Sequence, residues 1–432
     1  MSEHRLRLQV GPRQLEQLSV RDFLWRPRGD MSSFASSLSP RLEELGNVPP
    51  LHIDFVRLAV LAFLADRSVP RDRGKGMRWD RELHLSVPVS APDLWAAEAN
   101  ELAYLLHVLS GDRWSIRFEV ARAPRKGKIT AVEPTSVVCL FSGGADSLAG
   151  ALEARAATNS PPVLVSHWDN NLTSASQTAM LRKLAELWEE PLDHHRLQIQ
   201  RRKDQVGSGL PFPDEPSRRT RSLLFLSLGL AVAAARDAEL WMSENGFTSV
   251  NPPLSPERRG SLTTRTAHPG ILDTLVDVLR RLGLKADLHN PLESMTKGEV
   301  LARAAAQIPD AGHTFSMTHS CGKTPWFKGF SQSAQCGLCY GCLVRRGSFL
   351  ASGLDDQTPY IEKVLRGDPR RELYATPTRR KTVDAARYRL RRGYSVKDLL
   401  PLALPSRMPI QDVLDLVNRG VEELRPVVDD IP

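Results

Sequence analysis

The chain is predicted to be an α/β protein built on a parallel sheet, with an N-terminal α+β region and a helical, basic C-terminal region. Three observations predict this. Val137-Val138-Cys139-Leu140-Phe141 is a short apolar strand that runs straight into the turn Ser142-Gly143-Gly144 and then into the helical stretch Leu148 to Ala157. Further short apolar strands, Val163-Leu164-Val165 and Glu239 to Ser243, alternate with helical stretches in the order of βαβ units. The pattern changes on both sides of this block, and 432 residues exceed what one core usually serves. Three parts are therefore expected: 1–130, 135–350 and 351–432.

In the first part, Phe55 to Leu64 is an apolar, helix-like run. Leu83, Leu85, Val87 and Val89 alternate with other residues at the period of a half-buried strand. Pro88 has no N–H for a ladder, which predicts an edge position for that strand. Pro92 to Leu109 reads as an amphipathic helix, and Trp114, Ile116, Phe118 and Val120 as another alternating strand. No catalytic constellation stands out. Ala121 to Ser136, with Pro124, Arg125, Lys126, Gly127, Lys128 and Pro134, reads as a linker.

In the central part, Ala175 to Trp188 and Ser222 to Arg236 are the expected helices. The longest apolar run, Leu223 to Ala235, is broken by Ser227 and Gly229 and falls short of the ~20 residues that span a bilayer. It is expected to be a buried helix. Met1 to Arg13 has no apolar stretch of a secretory signal, so a cytoplasmic protein without a membrane partner is expected. In the last part Arg370, Arg371, Arg379, Arg380, Lys381, Arg387, Arg389, Arg391 and Arg392 are interleaved with Tyr374, Tyr388 and Tyr394. Leu399 to Val428 reads as helical with proline breaks. The net charge of +8 makes contact with nucleic acid, nucleotides or an acidic partner easy without requiring any of them.

The chemistry concentrates in two places. At Ser142 to Ser147, glycines let a backbone approach an anion, and the first N–H groups of the next helix offer donors to a phosphate. Ser142 and Ser147 add hydroxyls, and Asp146 can hold a magnesium ion or the nucleotide. No Gly-Lys-Ser/Thr follows, so this is not a Walker loop. In parallel sheets, ligands bind beyond the carboxyl ends of strands, where this turn lies. The second place is Cys321 with Cys336-Gly337-Leu338-Cys339-Tyr340-Gly341-Cys342, four of the chain's five cysteines. An odd count argues against a disulfide framework. Four closely spaced thiolates suit a structural zinc, with an iron–sulfur cluster as the alternative. His319 reads as a neighbour of this cluster and Cys139 as a core residue.

Ser142-Gly143-Gly144-Ala145-Asp146-Ser147 resembles the SGGxDS loop of the PP-loop ATP pyrophosphatases, which cleave ATP between the α and β phosphates to adenylate a substrate. Followed by the cysteine cluster, it resembles the 7-cyano-7-deazaguanine synthases, over about Val137 to Phe349. Thr220-Arg221-Ser222-Leu223-Leu224-Phe225 looks like that family's Gly-Arg-Asn-Ile-Leu-Phe helix start. Pro291-Leu292 with Lys297-Gly298-Glu299 is similar to its Pro-Leu…Lys-x-Glu segment, and the cysteine run to its zinc site, with Arg345, Arg346 and Phe349 trailing.

The resemblance implies an adenine-nucleotide α-hydrolase-like (PP-loop) topology, with ATP, Mg²⁺ and Zn²⁺ as cofactors. It assigns Asp146, Lys297 and Arg221 to catalysis. Ser142, Gly143, Gly144, Ala145, Asp146, Ser147, Ser166 and His167 would bind the nucleotide, and Cys321, Cys336, Cys339 and Cys342 the metal. The implied activity is that of an ATP-dependent C–N ligase or amidase-type synthase. A carboxylate, such as a 7-deazaguanine acid, attacks the α-phosphate, and the acyl adenylate passes to an amine.

Departures from the family pattern bear on the substrate. Ser166 to Asn171 replaces an Asp-Tyr-Gly-Gln-Arg-His type segment. The Tyr-Pro-Asp-Cys-Arg segment has no counterpart between Asn251 and Pro269. With its flanking regions, the layout is most similar to the QueC-like component of Qat anti-phage defence operons, which implies a partner protein as amine donor. Two other readings stay open: a PP-loop tRNA-modifying enzyme that uses the basic tail, and a silent nucleotide-binding module.

Overall fold

The computed structural model describes residues 3–10, 22–26, 32–71, 81–121, 128–168, 171–202, 215, 217–252, 254, 267–322, 330, 334–364 and 366–431. The chain opens with β1 (Glu3–Val10), β2 (Asp22–Trp25), β3 (Ala35–Ser36) and the helix α1 (Pro50–Ser68). Then come β4 (Glu82–Val89), α2 (Pro92–Ala97), α3 (Ala99–Ser110) and β5 (Arg113–Val120). The central stretch holds β6 (Val137–Leu140), α4 (Ala145–Thr158), β7 (Val163–Trp168), α5 (Asn171–Trp188), β8 (His194–Gln200), α6 (Arg221–Arg236), β9 (Glu239–Trp241) and α7 (Gly246–Val250). It continues with α8 (Pro269–Arg281), β10 (Leu288–His289), α9 (Lys297–Ala305), α10 (Ala311–Ser316) and α11 (Tyr340–Ser352). The rest is helical: α12 (Ile361–Val364), α13 (Asp368–Ala375), α14 (Pro377–Arg392), α15 (Val396–Leu399), α16 (Ile410–Glu422) and α17 (Arg425–Asp429).

Two sheets result. The larger runs β10-β9-β6-β7-β8-β3, parallel throughout except where β3 meets β8 antiparallel. Strand order reverses at β6: the chain builds outward to β7 and β8, then returns to β9 and β10 on the other side. This is the switch point where α/β sheets open a crevice at the strand ends. The alternation of β6 sorts its side chains. Val138 and Leu140 join the core beneath α6, while Val137 and Cys139 join the core under α4 and α9.

The smaller sheet, β2-β1-β4-β5, is parallel at every pair. Here Pro88 does not mark an edge. β4 lies between β1 and β5, and its pairing with β1 runs only from Glu82 to Ser86. The missing N–H of Pro88 therefore falls past the end of that ladder, where it costs nothing.

The N-terminal region is fastened to the larger sheet by more than the chain. Ala35 and Ser36 pair with Gln200 and Ile199 of β8, and one buried apolar cluster joins α1 and the smaller sheet to α6. Asp66 of α1 is fully buried. Its Oδ2 accepts from Ser217 Oγ (2.8 Å) and the backbone N–H groups of Arg219 (3.1 Å) and Thr220 (3.4 Å), just where α6 begins. Its other oxygen pairs with the buried Arg81. The expected linker is described only in part, since residues 122–127 lie outside the described residues. Among the described residues, no helix is long and apolar enough to cross a membrane.

Candidate nucleotide and metal site

β6 delivers the chain into the turn at Ser142. Gly143 has φ +81°, the left-handed region that favours glycine. A Cβ there would also stand 2.9 Å from the backbone nitrogen of Gln177. The loop is pinned from α5, with Ser176 Oγ donating to the Gly143 carbonyl (2.7 Å). Ser142 Oγ accepts from the Gly144 N–H (3.3 Å) and lies 3.2 Å from Ser147 Oγ, which donates to the Gly144 carbonyl (2.9 Å). α4 starts at Ala145 with no side-chain cap, leaving its first N–H groups to face the turn. That is the donor set an anion needs.

Beside the loop lies a cavity of about 250 Å³, lined by Ser142, Asp146, Glu244, Lys297, His319 and Tyr340 among others. Asp146 Oδ2 accepts from Lys297 Nζ (2.9 Å) and Asn245 Nδ2 (3.0 Å). Its Oδ1 is buried with no hydrogen-bond partner among the described residues. Burial first, then the charge of Asp146, push the Glu244 carboxyl up to about 7, with Lys297 opposing. Two carboxylates face one ammonium, and one carboxylate oxygen is left unsatisfied. This set fits a divalent cation of the hard, oxygen-liganded kind, which Asp146 Oδ1 and Glu244 could hold.

Sequence reasoning missed Glu244 and Asn245. Both follow directly on β9, the parallel neighbour of β6, at the same carboxyl-end rim as the loop. A carboxylate just past an adjoining strand was the signal available.

Lys297 opens α9, where a cation opposes the helix dipole. Three acids offset this. Asp146 pairs with the ammonium, Glu299 closes a capping box with Thr296, and Glu423 arrives from the end of α16. Glu423 accepts from the Gly298 N–H (3.1 Å) and from the Thr296 hydroxyl, and its carboxyl is pushed up by burial. A Cβ on Gly298 would reach to 2.5 Å from the Glu423 carboxylate, so the close approach requires glycine. The C-terminal region thus closes directly behind the lysine.

Arg221, Ser166 and His167 lie apart from this cavity's lining. Arg221 Nη2 donates to the His167 carbonyl (2.7 Å), which Gln177 Nε2 also reaches (3.3 Å). The Ser166 and His167 side chains are fully buried. Ser166 Oγ donates to the Phe141 carbonyl (2.6 Å) and meets His194 Nε2 (2.9 Å), and the His167 ring packs edge-on against Phe63. Their side chains therefore serve the core, and of the pair only the His167 carbonyl meets Arg221 and Gln177. Of the two segments that depart from the family pattern, Asp169 and Asn170 lie outside the described residues, as does most of Asn251 to Pro269.

The four thiols Cys321, Cys336, Cys339 and Cys342 converge with every sulfur within 4.8 Å of the others. Individual separations are 3.5 Å (Cys339 to Cys342), 3.8 Å (Cys336 to Cys342) and 3.9 Å (Cys321 to Cys339). A tetrahedral zinc with bonds of about 2.3 Å needs sulfurs about 3.8 Å apart. The set fits one ion and leaves no space for a cluster of iron and sulfide between the sulfurs. Hydrogen bonds from the other thiols hold Cys336 below the usual thiol range and push Cys342 up. Shared negative charge of this kind is what a cation relieves. His319 contacts the Cys321 carbonyl (3.2 Å) and stands between the two sites. The fifth cysteine, Cys139, is 1% exposed in β6 and its thiol is pushed up by burial alone.

No family model matches the chain. Among curated proteins it is similar to 7-cyano-7-deazaguanine synthase 1 of Sphingopyxis alaskensis, 31% identical over 245 residues, which are 52% of this chain and 98% of that protein. It is also similar to the 7-cyano-7-deazaguanine synthases of Cupriavidus pinatubonensis (31% over 159 residues, 36% of this chain and 61% of that one) and Syntrophotalea carbinolica (26% over 249 residues, 53% and 98%).

Proposed function

Because the chain belongs to the 7-cyano-7-deazaguanine synthase family, we propose that it is an ATP-dependent synthase that adenylates a small carboxylate, a 7-deazaguanine acid, and passes the acyl group to an amine. The observation that carries this reading is the cavity in which the Ser142–Ser147 turn, Asp146, Glu244 and Lys297 meet. In the proposed reaction the departing pyrophosphate lies against the Ser142 and Ser147 hydroxyls and the first N–H groups of α4. A magnesium ion on Asp146 and Glu244 would neutralise charge on that leaving group. Lys297, held by Asp146, faces the phosphorus under attack and stabilises the extra negative charge of the transition state.

A carboxylate oxygen bonds to the α-phosphorus as the bond to the bridging oxygen breaks, and pyrophosphate leaves with the electron pair. The amine then attacks the acyl carbon and AMP leaves. We propose a protein amine from a defence-system partner as the acceptor. The altered substrate segments and the half of the chain beyond the matched part support that choice over ammonia. Sulfur transfer to tRNA would need a reactive thiol at the site, and Cys139 is buried in a strand.

The test is to incubate the protein with magnesium, ATP and a 7-deazaguanine acid, follow AMP, and look for an adduct on candidate partners by mass spectrometry. AMP formation that requires the acid supports the reading. ATP consumption indifferent to the acid overturns it, and AMP formation with no protein adduct overturns the choice of acceptor.

A further inference from the structure

We infer that the outer face of α14 is a binding surface for the phosphate backbone of a nucleic acid. Residues 363–392 contain eleven lysines and arginines against three acids, a net charge of +8. That equals the formal charge of the whole chain, so the remaining residues balance to zero. A solvated helix face needs charge of either sign. It does not need all of a protein's imbalance in one short stretch.

Helical geometry then sorts these cations. At about 100° per residue, Arg380, Lys381, Arg387, Arg391 and Arg392 fall on one arc of about 140°, with Asp384 as its single acid. The opposite face carries Val383, Ala385, Ala386 and Arg389, all buried. Arg389 is already taken: it pairs with Asp398 (3.0 Å) and lies over the Tyr394 ring. On the outer arc, Arg380, Arg391 and Arg392 are exposed and have no carboxylate partner among the described residues. Nine of the eleven cations are arginine, whose planar fork suits phosphate oxygens.

The same arc argues against the other polyanions. A membrane surface would need apolar residues to bury among the headgroups. The arc offers only Tyr388, whose ring is already covered by the Arg389 and Arg392 guanidinium groups. A protein partner would need an apolar or aromatic anchor at the centre of its footprint, and Tyr388, with both guanidinium groups on its ring, does not supply a free one. A phosphate backbone needs only the charge, spaced here over about 16 Å from Arg380 to Arg391.

The experiment is fluorescence anisotropy of the full chain with single-stranded RNA and DNA of about twenty nucleotides, between about 50 and 200 mM salt. Both strands are expected to bind, with affinity falling as salt rises. The triple variant Arg380→Gln, Arg391→Gln, Arg392→Gln removes three phosphate contacts, so its log–log salt slope should be shallower by about 2. Its melting temperature and its acid-dependent AMP formation should not change, which separates failure here from failure of the proposed activity. An unchanged slope in the variant would overturn the inference. So would absence of binding at the lowest salt, or tighter binding to polyglutamate or to anionic phosphatidylserine vesicles.

Discussion

At the scale of single residues, the account rests on how charge is arranged around Asp146. In the proposed reaction Lys297 stabilises negative charge that grows as the phosphorus is attacked, so its loss should appear in turnover more than in substrate affinity. Lys297→Ala is expected to lower kcat about 10²–10³-fold with a small change in melting temperature, because the cavity lets water reach the freed Asp146. Steady-state kinetics beside a thermal melt would check both parts. If Glu244 holds the ion as proposed, Glu244→Gln should weaken magnesium binding, seen as a rise in the magnesium concentration that gives half-maximal rate.

The sequence made Asp146, Lys297 and the glycine turn legible because each has a local signature. Glu244 has only its place just past a strand, and Asn245 and Glu423 have none. They reach the site through the parallel register of β9 and the docking of α16, which short-range pattern does not encode. Ser166 and His167 were expected at the nucleotide, yet their side chains turn into the core.

At the scale of elements, stability rests on the cysteine cluster, the β7–β8 pair and the start of α6. The cysteine run folds into the start of α11, whose N-cap is Cys339. A structural ion there contributes directly to folding. Purified protein is expected to hold one zinc per chain by elemental analysis, and Cys336→Ser to lose it along with several degrees of melting temperature.

The β7–β8 pair carries a pH signal. His194 is held to about 4, first by burial and then by His195 and Arg196. A histidine depressed in the folded state contributes stability that is complete above its unfolded value near 6.5. That contribution is lost as pH falls through the folded value. Unfolding free energy should therefore decline between about pH 6.5 and 4, and His194→Gln, which keeps a polar group against Ser166, should flatten that decline. Equal slopes in the two proteins would refute the assignment.

α6 depends on Asp66. Asp66→Ala takes from the buried Arg81 one of its two carboxylate partners and leaves the N–H groups of Arg219 and Thr220, just ahead of α6, without their acceptor. A loss of about 3–5 kcal/mol in chemical denaturation is expected. Strands and helices of this kind were legible from apolar runs and period. The place of β4 was not, because Pro88 excludes a ladder bond only where a ladder is present.

At the scale of the molecule, the residues expected to act in the reaction are held in place by all three parts of the chain. The N-terminal region, through α1, holds the start of α6 and therefore Arg221. The C-terminal region, through Glu423, holds the start of α9 and therefore Lys297. The curated relatives match about half of this chain, so the remaining half is bound into the site's support as well as free to add the basic face of α14. Composition showed that the flanks differ. It could not show that they pack against the elements of the candidate site, since long-range contacts leave no trace in local pattern.

The most direct test of the central claim is the carboxylate-dependent exchange of labelled pyrophosphate into ATP, measured for the wild type and for Asp146→Asn. The account predicts exchange in the wild type that needs both magnesium and the acid, and a drop of at least about 10²-fold in the variant. Exchange that persists undiminished in Asp146→Asn would contradict it, as would a wild type that binds the acid and ATP but never forms pyrophosphate.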